Sequence, residues 1–184
     1  AGNSLGYAHP AWVKAVSEQA AKCAHVSNYL ATEPQIRLAS RLIALAGAPE
    51  GSHVYFGNSG AEGNEAALKL AKLYGRTLPG ASPSIGGKPA RILALTHGFH
   101  GRTMGALSAT WKPVIRKPFE PLVPGAFKVP NTNRYRAPEH LRDDEEAFGL
   151  CAADRIAEAI EFEGPETVAA VFLEPVQNTG GCYP

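Results

Sequence analysis

Asn58-Ser59-Gly60-Ala61-Glu62-Gly63-Asn64-Glu65-Ala66-Ala67 follows the apolar run Val54-Tyr55-Phe56, and this order predicts a strand, a tight turn and a helix. Ser59 suits the N-cap, with Glu62 as its capping-box partner, while Gly60 and Ala61 leave the first backbone N–H groups unobstructed. Those N–H groups and the positive end of the helix dipole converge at one point, which favours a phosphate. A capping box alone favours an ordinary helix start, so the other motifs decide.

Two further motifs follow apolar, strand-like runs. Residues 96–107 read Thr-His-Gly-Phe-His-Gly-Arg-Thr-Met-Gly-Ala-Leu and come directly after Ile92–Leu95. Residues 171–177 read Val-Phe-Leu-Glu-Pro-Val-Gln and place Glu174 at the end of a buried-looking strand. Because open α/β sheets bind ligands at the carboxyl ends of their strands, the three motifs together predict a site for a phosphorylated cofactor.

In this order the three motifs resemble the class III aminotransferases, which use pyridoxal 5′-phosphate (PLP) on a fold-type-I scaffold. The stretch from Gly2 to Arg102 looks most like the acetylornithine and ornithine aminotransferase branch. The resemblance implies an α/β fold: an incomplete large domain with three α/β/α layers and a mostly parallel sheet. Residues 1–31 would lead into this PLP-binding domain, and residues 32–184 would form its incomplete body.

The same resemblance implies how the cofactor is held. Ser59, Gly60 and Ala61 would bind the phosphate, mainly through backbone donors. Phe99 would stack on the pyridine ring. From the residues themselves we interpret His97 and His100 as structural; His100 would orient the loop beneath the cofactor, and His97 has no assigned role. With His97, His100 has a spacing that could suggest a metal, but no further Cys or His lies near enough in sequence, so no metal is expected.

Two residues are implied for the substrate. Arg102 matches the arginine that grips the substrate α-carboxylate with a fork that lysine cannot reproduce. Glu174 matches a carboxylate near the cofactor and substrate. For each residue the competing interpretation is structural: Arg102 could be a surface arginine, Phe99 a core residue and Glu174 a solvated strand end.

The lysine that forms the Schiff base with PLP is not among the residues expected here. In the resembled family this lysine and the aspartate that pairs with the pyridine nitrogen both lie beyond the Glu-Pro-Val-Gln strand, and the chain stops at Pro184. Lys69 and Lys72 are expected on a solvated helix face. We therefore expect a fragment, truncated at both ends, that is inactive by itself.

The C-terminal third resembles another branch of the same class. Residues 117–125, 131–136 and 163–169 look more like ω-amino-acid:pyruvate aminotransferases, and Thr179 stands where ornithine-type enzymes carry a glutamate. Three hypotheses stay open: an acetylornithine or ornithine aminotransferase using 2-oxoglutarate, an ω-amino-acid:pyruvate aminotransferase, and a catalytically incompetent phosphate- or PLP-binding module.

Composition restricts the partners and the compartment. The net charge of +1 with mixed signs argues against nucleic acid or an anionic membrane as partner. Three scattered cysteines favour reduced thiols in the cytoplasm, and no apolar run has the length of a membrane span. The expected partners are a small amino acid and a 2-oxo acid, and the resemblance implies a homodimer in the full-length form.

The apolar periodicity predicts alternating helices and strands. Helices are expected from Pro10 to about Cys23, from Thr32 to about Gly47, over 61–74 and from about Gly149 to Glu161. Strands are expected over 54–56, 92–95 and 167–173, the last one central in its sheet. Residues 78–89 read as an exposed loop and 134–146 as a surface insertion.

Overall fold

The computed structural model describes residues 2–27, 29–77, 91–179 and 181–182. The chain divides into two compact units, Ala1–Tyr55 and Phe56–Pro184. The domain boundary expected between residues 31 and 32 stays a prediction.

In the first unit the structure describes two helices, which begin and end close to where the sequence signals predict. Helix α1 spans Pro10–Lys22 and starts on its proline, whose missing N–H has no intrahelical partner to lose. Helix α2 spans Glu33–Leu45; the N–H and hydroxyl of Thr32 both donate to Oε1 of Gln35, at 3.3 and 3.0 Å. Gly47, at φ +58°, follows its end.

The second unit is built on a parallel sheet. Strands β1 (Arg91–Leu95), β2 (Ala126–Val129) and β3 (Val168–Phe172) lie in the order β2-β1-β3, with Leu93 of β1 opposite Phe127 and Val171. Residues 92–95 are almost fully buried, as a parallel strand covered on both faces requires. The predicted strand over 92–95 is therefore confirmed, and it is this strand that is central.

Helices cover both faces of this sheet. The α-helices that the structure describes in the second unit are α3 (Gly60–Gly75), α4 (Met104–Ala109), α5 (Pro113–Arg116), α6 (Glu139–Arg142) and α7 (Glu145–Glu163). Ile156 and Ile160 of α7 pack on the core cluster with Phe127 of β2, whereas the neighbouring Lys128 reaches the backbone of α4. Since neighbouring strand residues point to opposite faces, α4 and α7 lie on opposite sides of the sheet. The predicted three-layer α/β/α arrangement follows.

Three expectations about individual elements are wrong. Residues 54–56 are not a strand, since they take part in no strand pairing within the described ranges, and an apolar run needs a partner to form a ladder. Helix α7 starts four residues before Gly149 because Asp144 caps it, accepting a hydrogen bond from the Ala147 N–H at 2.9 Å. Strand β3 pairs only with β1 in the described sheet and so lies at its edge.

The loop expected over 78–89 lies outside the described residues. Among the helices that the structure describes, none combines the length and the apolar character needed to span a membrane.

Candidate functional site

The N-terminus of α3 presents unpaired backbone donors. Oγ of Ser59 accepts a hydrogen bond from the Glu62 N–H at 3.2 Å, as expected of an N-cap. The Glu62 carboxylate, however, accepts from the backbone and side-chain N–H groups of Asn58, at 2.6 and 3.1 Å, and not from Ser59. The predicted reciprocal capping box is thus shifted by one residue, and the N–H groups of Ser59, Gly60 and Ala61 have no acceptor among the described residues.

The loop that carries Phe99 lies directly against this turn. The Asn64 side chain on α3 donates to the carbonyl oxygen of His100 at 2.7 Å. A Cβ placed on Gly101, at φ +136°, would stand 2.8 Å from Cβ of Ala61 and 3.0 Å from its Cα. Only glycine permits both this backbone conformation and this approach. The fold therefore brings together the two motifs that the sequence separates by some thirty-five residues.

The buried Thr110 holds the same loop through its side-chain hydroxyl. Oγ1 of Thr110, with no solvent exposure, accepts hydrogen bonds from the N–H groups of His100 and Gly101 at 2.9 and 3.2 Å. Its own hydroxyl lies 3.0 Å from the carbonyl oxygens of both Gly101 and Ala106. Buried backbone donors left without such partners would be costly, so Thr110 stabilises the loop conformation.

The third motif is joined to this loop at two points. The backbone N–H of Phe99, which is half-buried, donates to Oε2 of Glu174 at 3.0 Å. The fully buried Gln177 donates from Nε2 to the carbonyl oxygen of Thr96 at 3.1 Å. The residues that follow β1 and β3 are thereby held side by side at the carboxyl edge of the sheet, where α/β proteins place their ligands.

The two histidines of the loop have different surroundings. The His100 side chain is buried and packs edge-on against Phe172, with ring centroids 5.9 Å apart. Burial, helped by the positive charge of Lys128, lowers the pKa of His100 to about 4, so its ring is neutral at physiological pH. His97 is exposed at φ +65° and contacts Nδ2 of Asn131 through Nδ1 at 2.6 Å. No group of metal-ligating side chains forms within the described ranges.

Glu65 of α3 caps the helix that follows Arg102. Its carboxylate accepts from the N–H groups of Gly105 and Ala106, at 2.8 and 3.0 Å, and from the Thr103 hydroxyl at 2.6 Å. Burial raises the pKa of Glu65, but these hydrogen bonds and the charge of Lys69 lower it by more. Charge at an N-cap strengthens both the hydrogen bonds and the helix dipole interaction.

Arg102, one residue before the cap of α4, is exposed and makes no hydrogen bond or ion pair with the described residues. Its guanidinium fork is therefore available to a carboxylate from outside the chain. Its role in binding substrate stays a prediction, as do the roles assigned to Phe99, His100 and Glu174.

Four residues that organise this site received no role from the sequence: Asn64, Glu65, Thr110 and Gln177. Each of them forms a hydrogen bond with a backbone group of another segment, and no local sequence pattern predicts that partner. Asn64, Glu65 and Gln177 do lie inside the three quoted motifs, which is the only signal available. Lys128 is a fifth such residue: Nζ donates to the Ser108 carbonyl at 3.1 Å and to that of Ala109, and burial and Arg116 lower its pKa to about 8.

The sequence profile described as "Aminotransferase class-III" matches residues 1–184. The chain is 67% identical over 182 residues to the acetylornithine aminotransferase of Bifidobacterium longum, covering 99% of this chain and 39% of that protein. It is 47% identical over 183 residues to a probable aminotransferase of Mycobacterium tuberculosis, covering 98% and 37%. The chain thus spans about two fifths of the length of these relatives.

Solved structures agree with the predicted fold class. An (S)-enantioselective ω-transaminase from Thermomicrobium roseum superposes with a TM-score of 0.81 at 34% identity, over 97% of this chain and 39% of that one. An amine transaminase from an uncultivated Pseudomonas species, in its PLP-bound form, gives a TM-score of 0.83 at 28% identity over the same shares. With the profile match over its whole length, the chain belongs to the class III aminotransferase family.

Proposed function

We propose that residues 1–184 carry the phosphate-binding turn and part of the substrate site of an aminotransferase. In its complete form, this enzyme transfers an amino group from N-acetylornithine or ornithine to 2-oxoglutarate. The observation that carries the proposal is the meeting of three unpaired N–H groups at α3 with the Phe99 loop, which packs against Ala61.

The cofactor of the family is PLP, and the residues present fit it. A phosphate needs several convergent donors, which Ser59, Gly60 and Ala61 supply without competition from Glu62. A pyridine ring needs a flat apolar neighbour, which Phe99 offers from a loop fixed at Asn64 and Thr110. When bound, PLP draws electrons from the α-carbon of an amino acid, the step that makes amino transfer possible.

The substrate end of the site rests on Arg102 and Glu174. Arg102 lies next to the Phe99 loop, forms no ion pair with the described residues, and would hold the α-carboxylate with two parallel hydrogen bonds. Glu174 accepts from the Phe99 N–H and so fixes the backbone at Phe99 relative to the segment that follows β3. This contact positions the face on which the cofactor would stack.

The choice of donor follows the identity to acetylornithine aminotransferases, which is 67% for the Bifidobacterium longum protein and 41% for that of Streptomyces clavuligerus. A second candidate is transfer from an ω-amino acid to pyruvate. Thr179 favours it, because a glutamate in that place would pair with a second substrate-binding arginine in ornithine-type enzymes. The likeness to the ω-transaminase and amine transaminase structures, at 34% and 28% identity, supports the second candidate less strongly.

We also propose that residues 1–184 do not transaminate by themselves and that the full-length form is a cytoplasmic homodimer. Among the described lysines of α3, Lys69 and Lys72 line a groove beside α4 and lie roughly two to four turns from the N-terminal donors. Lys128 is engaged by the carbonyl groups of α4. A chain that binds the phosphate without a reactive lysine would act only as a binding module, the third hypothesis.

An assay of the longest reading frame that includes residues 1–184 tests the proposal. N-acetylornithine with 2-oxoglutarate is compared with β-alanine and pyruvate, each over a range of donor concentrations. The proposal predicts a higher kcat/KM for the first pair. A preference for β-alanine and pyruvate would support the second candidate instead. If the PLP-loaded protein turned over neither pair, only the binding-module hypothesis would remain.

A further inference from the structure

A small cavity lies at the carboxyl edge of the sheet, and its described lining residues do not include any from α3. Its volume is about 130 Å³, and it opens where Thr96 follows β1 and Pro130 follows β2. Helices α6 and α7 form the opposite wall through Leu141, Phe148 and Ala152. The cavity thus has the position that α/β sheets use for ligands, together with an apolar floor.

The charged side chains lining this cavity are two arginines. Arg136 comes from the turn after β2 and Arg155 from the middle of α7; both are exposed, and no carboxylate is among the described lining residues. Neither guanidinium forms an ion pair with the described residues. Arg134, close to Arg136 in sequence but not lining the cavity, is paired with Glu145 at 3.4 Å. Glu145, at the start of α7, is therefore paired with an arginine outside the cavity.

We propose that this cavity binds a small oxyanion, a carboxylate or a phosphate, between Arg136 and Arg155. The volume admits a group of this size but not a cofactor. Guanidinium groups bind either oxyanion through paired hydrogen bonds, and here two exposed ones come from different elements beside the apolar wall of Leu141 and Phe148. The site is separate from the phosphate turn at Ser59.

An occupant would lie next to the cofactor loop. Asn131 lines the cavity and also contacts Nδ1 of His97, two residues before Phe99. His97 holds a left-handed backbone conformation that favours glycine, so the contact with Asn131 helps to define the entry into the loop. The oxyanion site therefore adjoins the start of the Phe99 loop through Thr96 and Asn131.

Cys151 lines the same cavity and provides a reporter for the test. Iodoacetate is itself a small carboxylate, and iodoacetamide is its neutral counterpart; with both, the thiolate sulfur displaces iodide. Alkylation rates of the 184-residue chain are measured by peptide mass spectrometry with each reagent at one pH. Cys23, outside this cavity, serves as the internal reference.

The proposal predicts that the iodoacetate-to-iodoacetamide rate ratio at Cys151 exceeds that at Cys23 by about tenfold, as expected from one charge-assisted hydrogen bond. Inorganic phosphate or acetate should slow the alkylation of Cys151 by iodoacetate but not the alkylation of Cys23. Protection by both anions indicates a general oxyanion site, and protection by one identifies the preferred chemistry. Equal ratios at Cys151 and Cys23 in the parent chain would overturn the proposal without any variant.

Substitutions of the two arginines test whether they cause the high rate ratio at Cys151. Arg155→Gln and Arg136→Gln should each bring the ratio at Cys151 towards that at Cys23, by about three- to tenfold. Arg41→Gln, an exposed arginine on α2, removes the same charge elsewhere and should change nothing. A high ratio that survives both cavity substitutions would also contradict the proposal.

Discussion

The backbone N–H of Phe99 donates to Oε2 of Glu174 at 3.0 Å, across 75 residues of sequence. This contact joins the segments that leave β1 and β3 at the carboxyl edge of the sheet. It gives the proposed stacking residue and the proposed site carboxylate one fixed relative position. The charge-assisted hydrogen bond is stronger than a neutral one, so the aromatic side chain starts from a well-defined backbone.

Replacing Thr110 with valine should destabilise the second unit strongly. The change keeps the shape of the side chain but leaves the buried N–H groups of His100 and Gly101 without an acceptor. We expect a loss of about 2–5 kcal/mol in the free energy of unfolding, measured by urea denaturation. Thr110→Ser keeps the hydroxyl and should retain most of the stability. Equal losses in both variants would show that the hydroxyl is not what holds the loop.

Replacing Gly101 with alanine should separate the Phe99 loop from the phosphate turn. The added Cβ would meet Ala61 at 2.8 Å in a backbone conformation that only glycine adopts easily. We expect a cost of about 2–4 kcal/mol.

Gly63→Ala is the matched control for this change. Gly63 lies inside α3 with open space around its Cα, so the substitution should stabilise the chain by up to about 1 kcal/mol. If Gly101→Ala is as stable as the parent by thermal or urea unfolding, the described contact with Ala61 is wrong.

His100 should make stability fall as the pH drops from about 6.5 to about 4. Its pKa is about 4 in the folded chain, against an ordinary value of 6.5, so the unfolded chain binds more protons throughout this window. Between pH 7 and pH 5 the loss is about 2 kcal/mol, most of it before carboxylates titrate.

The check is the urea midpoint at pH 7 and pH 5 for the parent and for His100→Gln. The variant has no group that titrates in this range at residue 100 and should show a smaller difference between the two pH values. An unchanged difference would mean that His100 is not the source of the pH dependence.

Arg102→Lys, made in the longest reading frame, should lower the activity with amino donors that carry an α-carboxylate and spare donors that lack one. For N-acetylornithine, the loss of the bidentate fork should lower kcat/KM by about 10- to 100-fold, whereas a primary amine without a carboxylate should react almost unchanged. Arg76→Lys, at the exposed end of α3, is the matched control. Equal losses for both donors would place Arg102 outside the carboxylate site.

The parts of this fold that the sequence predicts are those decided by local patterns. Pro10 marks the start of α1, and Thr32 marks the start of α2. The continuous apolar run of residues 92–95 predicts a buried strand. The run at 54–56 looks similar, but a strand also needs a partner elsewhere in the chain, and local sequence carries no information on that pairing.

The same limit applies to the site. The residues of the phosphate turn are recognisable because their chemistry is local to one helix start. Asn64, Thr110 and Lys128 act on carbonyl or N–H groups of other segments, and any polar side chain could do so if the fold placed it there. Only the arrangement of the chain in space selects them.

The central claim is that the N–H groups of Ser59, Gly60 and Ala61 hold the phosphate of the cofactor. Its most direct test is an amide ¹H–¹⁵N NMR titration of the chain with pyridoxine 5′-phosphate and, separately, with pyridoxine. Both lack the aldehyde that would react with surface lysines. The account predicts shifts of the amides of residues 59–61 with the phosphorylated ligand only. A dispersed, folded spectrum in which these three amides do not move, or move equally with both ligands, would contradict it.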